Sequence, residues 1–135
     1  MKKIIIIGGG FAGLSAAGRL AKSGLELEVL LFDKRKHLDF LPLLPDAIGR
    51  QINLEFLKYN INDLSQKFKF KFINEEVVSV YLGAKQVAAA ASTYTYDYLV
   101  VASGSQTNFF GNQDTQNRAY ALNRADDVKK IQEAL

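Results

Sequence analysis

The sequence predicts an α/β fold built around a parallel sheet, and three stretches predict it. Ile4-Ile5-Ile6-Ile7 is a run of four β-branched residues, the pattern of a strand buried on both faces. Gly8, Gly10 and Gly13 follow at Gly-x-Gly-x-x-Gly spacing and lead into an Ala-rich helical segment, Leu14 to Ala21. A second apolar run, Leu27-Glu28-Val29-Leu30-Leu31-Phe32, ends at Asp33, 20 positions after Gly13. Strand, glycine turn, helix, strand and acid in that order make a dinucleotide-binding βαβ unit.

Each glycine has its own physical task. Gly8 permits the tight turn out of the strand, Gly10 lets backbone approach a pyrophosphate, and Gly13 lets the helix pack closely. The phosphates then meet the N–H groups and the positive dipole end of the helix. Asp33 stands where a carboxylate takes the ribose hydroxyls. A bland alternative stays open for both: a Gly-rich βαβ turn without ligand, and a plain surface acid at a strand end.

The remaining elements follow in order. Lys3–Ile7 reads as the first strand, Ala12–Ser23 as the first helix, ended by Gly24, and Leu27–Asp33 as the second strand. Lys34 to Gly49 holds both prolines, Pro42 and Pro45, and reads as a loop. Its Phe40-Leu41-Pro42-Leu43-Leu44-Pro45 stretch is apolar enough to pack under something, a ring-shaped ligand included. Ile61–Gln66 is a short helix. Phe68-Lys69-Phe70-Lys71-Phe72 alternates with period two and reads as a half-buried strand. Val77–Leu82, Gln86–Ala90 and Thr93–Tyr96 read as three antiparallel strands, with Gly83-Ala84-Lys85 as the first turn. Leu99-Val100-Val101-Ala102 is another buried strand, ending at Ser103-Gly104-Ser105. Asn108 to Arg118 reads as a polar loop. Asn123 starts a last helix that runs to Leu135, with Asp126 completing a weak capping box. Ala88 to Ala91 is a small-residue tract that does little for a strand.

Composition bounds the function. With 135 residues, 48% hydrophobic and 23% charged, the chain is one globular domain or part of one. The net charge of +3 comes from 17 basic and 14 acidic residues that are mostly dispersed, which argues against a nucleic-acid partner. Lys34-Arg35-Lys36 reads mainly as a solvated basic face. Without Cys there is no disulfide framework, thiolate metal site or redox-active cysteine pair. The single His37 makes no metal site alone and has no acid–nucleophile arrangement around it. No apolar run reaches the ~18 residues of a membrane span. The chain enters its first strand directly, without a secretory signal, so a cytoplasmic protein is expected.

Three motifs then line up: Gly8-x-Gly10-x-x-Gly13 with Asp33; Phe40-x-Pro42-Leu43-Leu44 followed by Gly49; and Tyr96-Asp97-Tyr98-Leu99-Val100-Val101-Ala102-Ser103-Gly104-Ser105. Together they resemble the two-dinucleotide-domain flavoproteins of the pyridine nucleotide-disulfide oxidoreductase superfamily, and most of all the type II NADH:quinone oxidoreductase branch. Sulfide:quinone oxidoreductases share most of the set. The resemblance runs over the whole chain. It implies a Rossmann-like FAD/NAD(P)-binding fold, a central parallel sheet with an antiparallel three-stranded β-meander. The first part of the FAD domain would span residues 1–110, and a connector toward an NAD(P)H domain residues 111–135.

The resemblance also implies site residues. Gly8 and Gly10 would line the FAD pyrophosphate with the Phe11 and Ala12 backbone, Gly13 would complete the cofactor-binding turn, Asp33 would hold the adenosine ribose, and Lys34 would border it. Pro42, Leu43 and Leu44 would lie near the isoalloxazine end. Val77 matches a backbone contact to adenine, and Ala102, Ser103 and Gly104 match a strand end that passes close to the FAD. Ser103 stands where Thr is commoner, and Tyr81 where many relatives have Asp. Bland readings remain beside these: Leu43 and Leu44 as core, Val77 as sheet filling, Ser103-Gly104 as a plain strand exit.

Such an enzyme carries electrons from NADH through FAD to a quinone. It needs about three times this length, a second glycine motif and a later acidic strand, so the chain reads as a truncated FAD domain that is inactive alone. The complete enzyme would sit in the cytoplasm or peripherally on the cytoplasmic membrane. An exposed sheet edge or apolar surface is expected to favour a homo-oligomer. Two other readings stand beside this one: a non-catalytic module that binds FAD, NAD or ADP, and a sulfide:quinone oxidoreductase-like fragment.

Overall fold

The computed structural model describes residues 1–50 and 52–135. Strand β1 (Lys2–Ile7) runs into helix α1 (Phe11–Ala21) and then strand β2 (Leu27–Phe32). Two short strands, β3 (His37–Asp39) and β4 (Lys58–Asn60), pair with each other and flank helix α2 (Leu44–Gly49) in the chain. Helix α3 (Ile61–Phe68) and β5 (Lys71–Ile73) follow, then β6 (Val77–Tyr81), β7 (Gln86–Ala89), β8 (Thr93–Thr95) and β9 (Tyr98–Val101). Two helices, α4 (Gln113–Arg118) and α5 (Ala125–Ala134), complete the chain.

The chain divides into two units, Met1–Leu38 with Asn60–Gly104, and Asp39–Tyr59 with Ser105–Leu135. In the first, β5-β2-β1-β9 form a four-stranded parallel sheet and β6-β7-β8 an antiparallel meander. The fold is therefore the α/β, parallel-sheet-plus-meander architecture expected from the sequence. Branched residues on β1 fill both faces. Ile4 and Ile6 join Ala17, Val29, Leu31, Ile61 and Phe70 on one side, and Ile5 joins Leu30, Phe32, Val87 and Ala89 on the other. Burial on both faces is why these strands read as unbroken apolar runs.

In the second unit, α2 packs on α5 around Leu44, Ala47, Leu57, Ala125 and Val128. The Gln132 amide donates to the Ala47 carbonyl at 2.8 Å. The two prolines that mark residues 34–49 as a loop instead open helical turns. Pro42 lies in the first turn of a 3-10 helix, Leu41–Leu43, and Pro45 in the first turn of α2. At such positions the missing N–H has no intrahelical partner to lose.

Three more expectations are corrected. Helix α3 extends through Phe68, and the chain then turns at Lys69 with φ 65° before a strand of only three residues. Phe68 belongs to the apolar face of α3 and lies against Gly18, so packing overrides the period-two pattern. The polar segment 108–118 contains α4, started by Asn112, whose side-chain oxygen accepts the Thr115 N–H at 2.9 Å. The last helix starts at Ala125, and Asp127 rather than Asp126 closes it, accepting the N–H groups of Asn123 (2.9 Å) and Arg124 (3.0 Å).

The first turns of the sheet are tied by Asp97. Its carboxylate accepts the Lys3 N–H at 2.7 Å and the Lys2 ammonium at 2.9 Å, which joins the start of β9 to the start of β1. The Lys3 N–H, followed by the Lys2 hydrogen bond, holds the Asp97 carboxyl below the ordinary carboxylate range. A depressed folded-state pKa stabilises the fold above the unfolded value and loses that contribution as pH falls through the folded one. Asp97→Asn is therefore expected to melt earlier than the parent at neutral pH. The gap should close under acid conditions below the usual carboxylate range, as read by melting curves across pH. A gap that does not change with pH would mean that the charge of Asp97 contributes nothing.

Candidate functional site

The register of the sheet assembles the site. Ile7 is level with Phe32 on one side and with Val101 on the other. The next residue on each strand is Gly8, Asp33 and Ala102, so all three emerge together at the carboxyl edge. Strand β1 connects through α1 to β2 on one side and has β9 on the other, so the Gly8 turn lies at the topological switch point. The crevice at such a point is where open α/β sheets bind ligands. Backbone hydrogen bonds fix the turn there: the Gly8 N–H donates to the Phe32 carbonyl and the Ala102 N–H to the Ile7 carbonyl, both at 2.8 Å.

The glycines show what space the turn requires. Gly8 has φ +109°, and a Cβ there would fall onto the Ala102 carbonyl and lie 3.0 Å from the Ser103 Cα. A Cβ on Gly13 would fall onto the Gly8 carbonyl oxygen. Gly13 thus lets α1 sit against the turn itself, with the strand residue Ile6 at ordinary contact distance. A Cβ on Gly10 would meet nothing within 4 Å. Gly10 is the N-cap of α1, which has no side-chain cap and no acidic residue in its first turn. The helix start, with the Phe11 and Ala12 backbone, therefore presents its partial positive charge beside open space.

Gly9, a position the motif leaves free, has a role the sequence reading missed. Its buried N–H donates to Asp33 Oδ2 at 2.7 Å. A Cβ there would lie 2.8 Å from Ile61 and 3.1 Å from the Asp33 side chain. Asp33 Oδ1 accepts the Arg35 N–H at 2.7 Å and faces the Arg35 guanidinium at 3.4 Å. The Asp33 carboxylate is therefore oriented before any ligand arrives. The signal in the sequence is the middle of three consecutive glycines, which has no task in the motif.

The other residues fall into two groups. Asn74 donates to the Asp33 carbonyl at 2.9 Å, and Lys34 pairs with Glu76 at 2.8 Å, so the segment leading to Val77 follows the end of β2. Val77 packs partly against the Ile5 cluster. Ser103 and Gly104 continue from Ala102, with Gly104 at φ +78°. Pro42, Leu43 and Leu44 belong to the second unit, where Pro42 and Leu43 are exposed and Leu44 is 1% exposed within that unit's core.

A dinucleotide of the FAD type fits this cradle in two respects. The backbone is open where a pyrophosphate must approach, and the carboxylate at the neighbouring strand end keeps acceptor capacity for ribose hydroxyls.

Residues 2–135 match the family described as pyridine nucleotide-disulphide oxidoreductase. The type II NADH:quinone oxidoreductase of Staphylococcus haemolyticus is 33% identical over 132 residues, 96% of this chain and 33% of that protein. The sulfide:quinone oxidoreductase from the hyperthermophilic bacterium Aquifex aeolicus superposes with a TM-score of 0.90 at 27% identity, covering 99% of this chain and 31% of that one. NDH2 from Plasmodium falciparum, solved in complex with NADH, gives a TM-score of 0.81 at 26% identity, covering 97% and 28%. The chain spans about a third of the length of the curated relatives it matches. Among the described residues, no helix is long and apolar enough to cross a membrane. The fold, the glycine turn and the match across residues 2–135 lead to one conclusion: the chain belongs to the pyridine nucleotide-disulphide oxidoreductase family.

Proposed function

We propose that this chain is the FAD-binding part of an NADH:quinone oxidoreductase, with residues 1–110 as the first part of the FAD domain and residues 111–135 as a connector. The observation that carries the reading is the convergence of Gly8, Asp33 and Ala102 at the switch point, beside an open Gly10 and an α1 without a side-chain cap. Gly10 admits the pyrophosphate, Gly8 and Gly13 shape the turn that presents it by packing on Ala102 and on each other, and the first turn of α1, at Phe11 and Ala12, stabilises its charge. Asp33 accepts the ribose hydroxyls, Lys34 and Val77 border the adenosine, and Ala102, Ser103 and Gly104 line the strand end. Pro42, Leu43 and Leu44 are assigned to the flavin end. Bound FAD supplies hydride acceptance from NADH and the onward delivery of electrons to quinone. The protein's part is to bind and orient it. The absence of Cys from this chain agrees with a route that uses no protein thiol.

A second reading, a non-catalytic adenine-nucleotide module, is favoured by one observation. Every proposed site residue in the first unit is assigned to the ADP half of the cofactor or to the strand end beside it. Thermal shift separates the readings. At a hundredfold excess over Kd, a ligand that binds only the folded state adds about 2.7 kcal/mol, which raises Tm by roughly 10 °C in a chain of this size. FAD giving a clearly larger shift than ADP, with a yellow preparation, supports the flavoprotein reading. Equal shifts from ADP and FAD support the module. If FAD, NAD and ADP all leave Tm unmoved, both readings fail.

A further inference from the structure

A second concave surface runs along α1 from Phe11, the first residue after the glycine turn, to Lys22 beyond the helix's last turn. Residues Phe11, Leu14, Gly18 and Lys22 recur along one stripe of α1, three or four positions apart, and face Leu64 and Phe68 of α3. With Ser15, Arg19 and Leu38 they line an open groove of about 680 Å³, within the size range of small-molecule sites. At 1.5 Å per residue the stripe is about 16 Å long. The Phe68 ring packs on Gly18, at ordinary contact distance from where a Cβ would be, so Gly18 lets α3 approach α1 closely beside the groove.

One end of the groove carries uncompensated positive charge. The Lys22 ammonium lies 4.5 Å from the centroid of the Phe68 ring, and the Lys67 ammonium 5.7 Å from the same centroid. Arg19 lines the groove on the same turn of α1 as Lys22. Helix α1 contains no Asp or Glu. Among the described residues, no carboxylate forms an ion pair with Arg19, Lys22 or Lys67. The C-terminal dipoles of α1 and α3 contribute roughly half a negative charge each, against three cations. An anion is therefore favoured at this end, and an apolar body along the rest.

We infer that the α1–α3 groove binds a free single-chain anionic amphiphile, a long-chain carboxylate whose head group meets Arg19 and Lys22 and whose chain lies along Leu14, Leu64 and Phe68. The groove shape sets the single chain and the charge sets the sign of the head group. The inference is independent of nucleotide binding at the glycine turn.

The test is calorimetric titration of the 135-residue chain with dodecanoate below its micelle concentration. Dodecyltrimethylammonium, dodecyl maltoside and acetate serve as matched probes. Saturable 1:1 binding of dodecanoate, at least tenfold tighter than the cationic and uncharged chains and than acetate, is expected. The double variant Arg19→Glu with Lys22→Glu should weaken it at least tenfold, and it changes only exposed side chains. Ser15→Trp, at an exposed residue of the lining, should remove binding by filling the groove, and Ser15→Ala should leave binding and fold intact as its control. Equal binding of the cationic chain, binding unmoved by the charge reversal, or binding of acetate as tightly as dodecanoate would overturn the inference. So would binding to phosphatidylglycerol vesicles with none to free dodecanoate, which would make the surface a membrane contact. Loss of a dimer in Ser15→Trp, with no dodecanoate binding in the parent, would make it an interface between copies and would equally overturn it.

Discussion

Replacing Gly8 with alanine is expected to cost about 3–5 kcal/mol of stability, the range reserved for backbone strain and severe overpacking. Replacing Gly10 with alanine is expected to cost little and to remove nucleotide binding instead. The contrast follows from what each new methyl group would meet. At Gly8, φ is +109° and the methyl would strike the Ala102 carbonyl, main-chain atoms that cannot rotate away. Both sides are also pegged by 2.8 Å hydrogen bonds, Gly8 to Phe32 and Ala102 to Ile7, so relief requires breaking the parallel ladder. Against a typical total of about 5–15 kcal/mol, such a loss leaves the chain partly unfolded. At Gly10 nothing lies within 4 Å, and the stability change should stay near that of a surface substitution, about 0.5 kcal/mol. The same methyl occupies the space where the proposed pyrophosphate approaches, so ADP affinity should fall at least tenfold. Urea denaturation and ADP titration of the two variants separate the effects. A Gly10→Ala protein that binds ADP as well as the parent would remove the phosphates from this turn.

The sequence reading recovered the glycine turn because its spacing maps onto local geometry. Gly8 and Gly13 meet within six residues, and Asp33 reaches the same edge because two parallel strands of equal length keep register. Gly9 escaped because its role depends on Asp33, 24 residues away, and on Ile61, which only the folded chain brings near. Helix α2 escaped because Pro42 and Pro45 signal a break and a helix start equally well, and only packing against α5 decides between them. The Phe68–Phe72 stretch fits two periods at once, and the contact of Phe68 with Gly18 selects the helical one. The alanine tract was the reverse case. Ala89 is a poor strand former, yet it is buried in the Ile5 cluster, where cross-sheet packing outweighs intrinsic preference.

Asp33 should show two separable losses, because its carboxylate holds the glycine turn and is proposed to hold the ribose as well. Asp33→Ala leaves the buried Gly9 N–H and the Arg35 N–H without their acceptor, a cost of about 1–3 kcal/mol in the absence of any ligand. Asp33→Asn keeps an oxygen for Gly9 but turns an amide donor toward the Arg35 N–H, so it should lie between Ala and the parent in stability. Binding adds the second loss. Ribose hydroxyls donating to a carboxylate are worth about 1.5–3 kcal/mol, or roughly 10- to 150-fold in affinity for ADP. A merely structural Asp33 would also weaken ADP binding by loosening the turn, so affinity alone does not separate the tasks. The 2′-hydroxyl does. The parent should prefer ADP over 2′-deoxy-ADP, and Asp33→Ala should bind the two equally, whatever its stability. If the preference survives in Asp33→Ala, the carboxylate acts as the clamp of the glycine turn, through Gly9, and the ribose is held by another group.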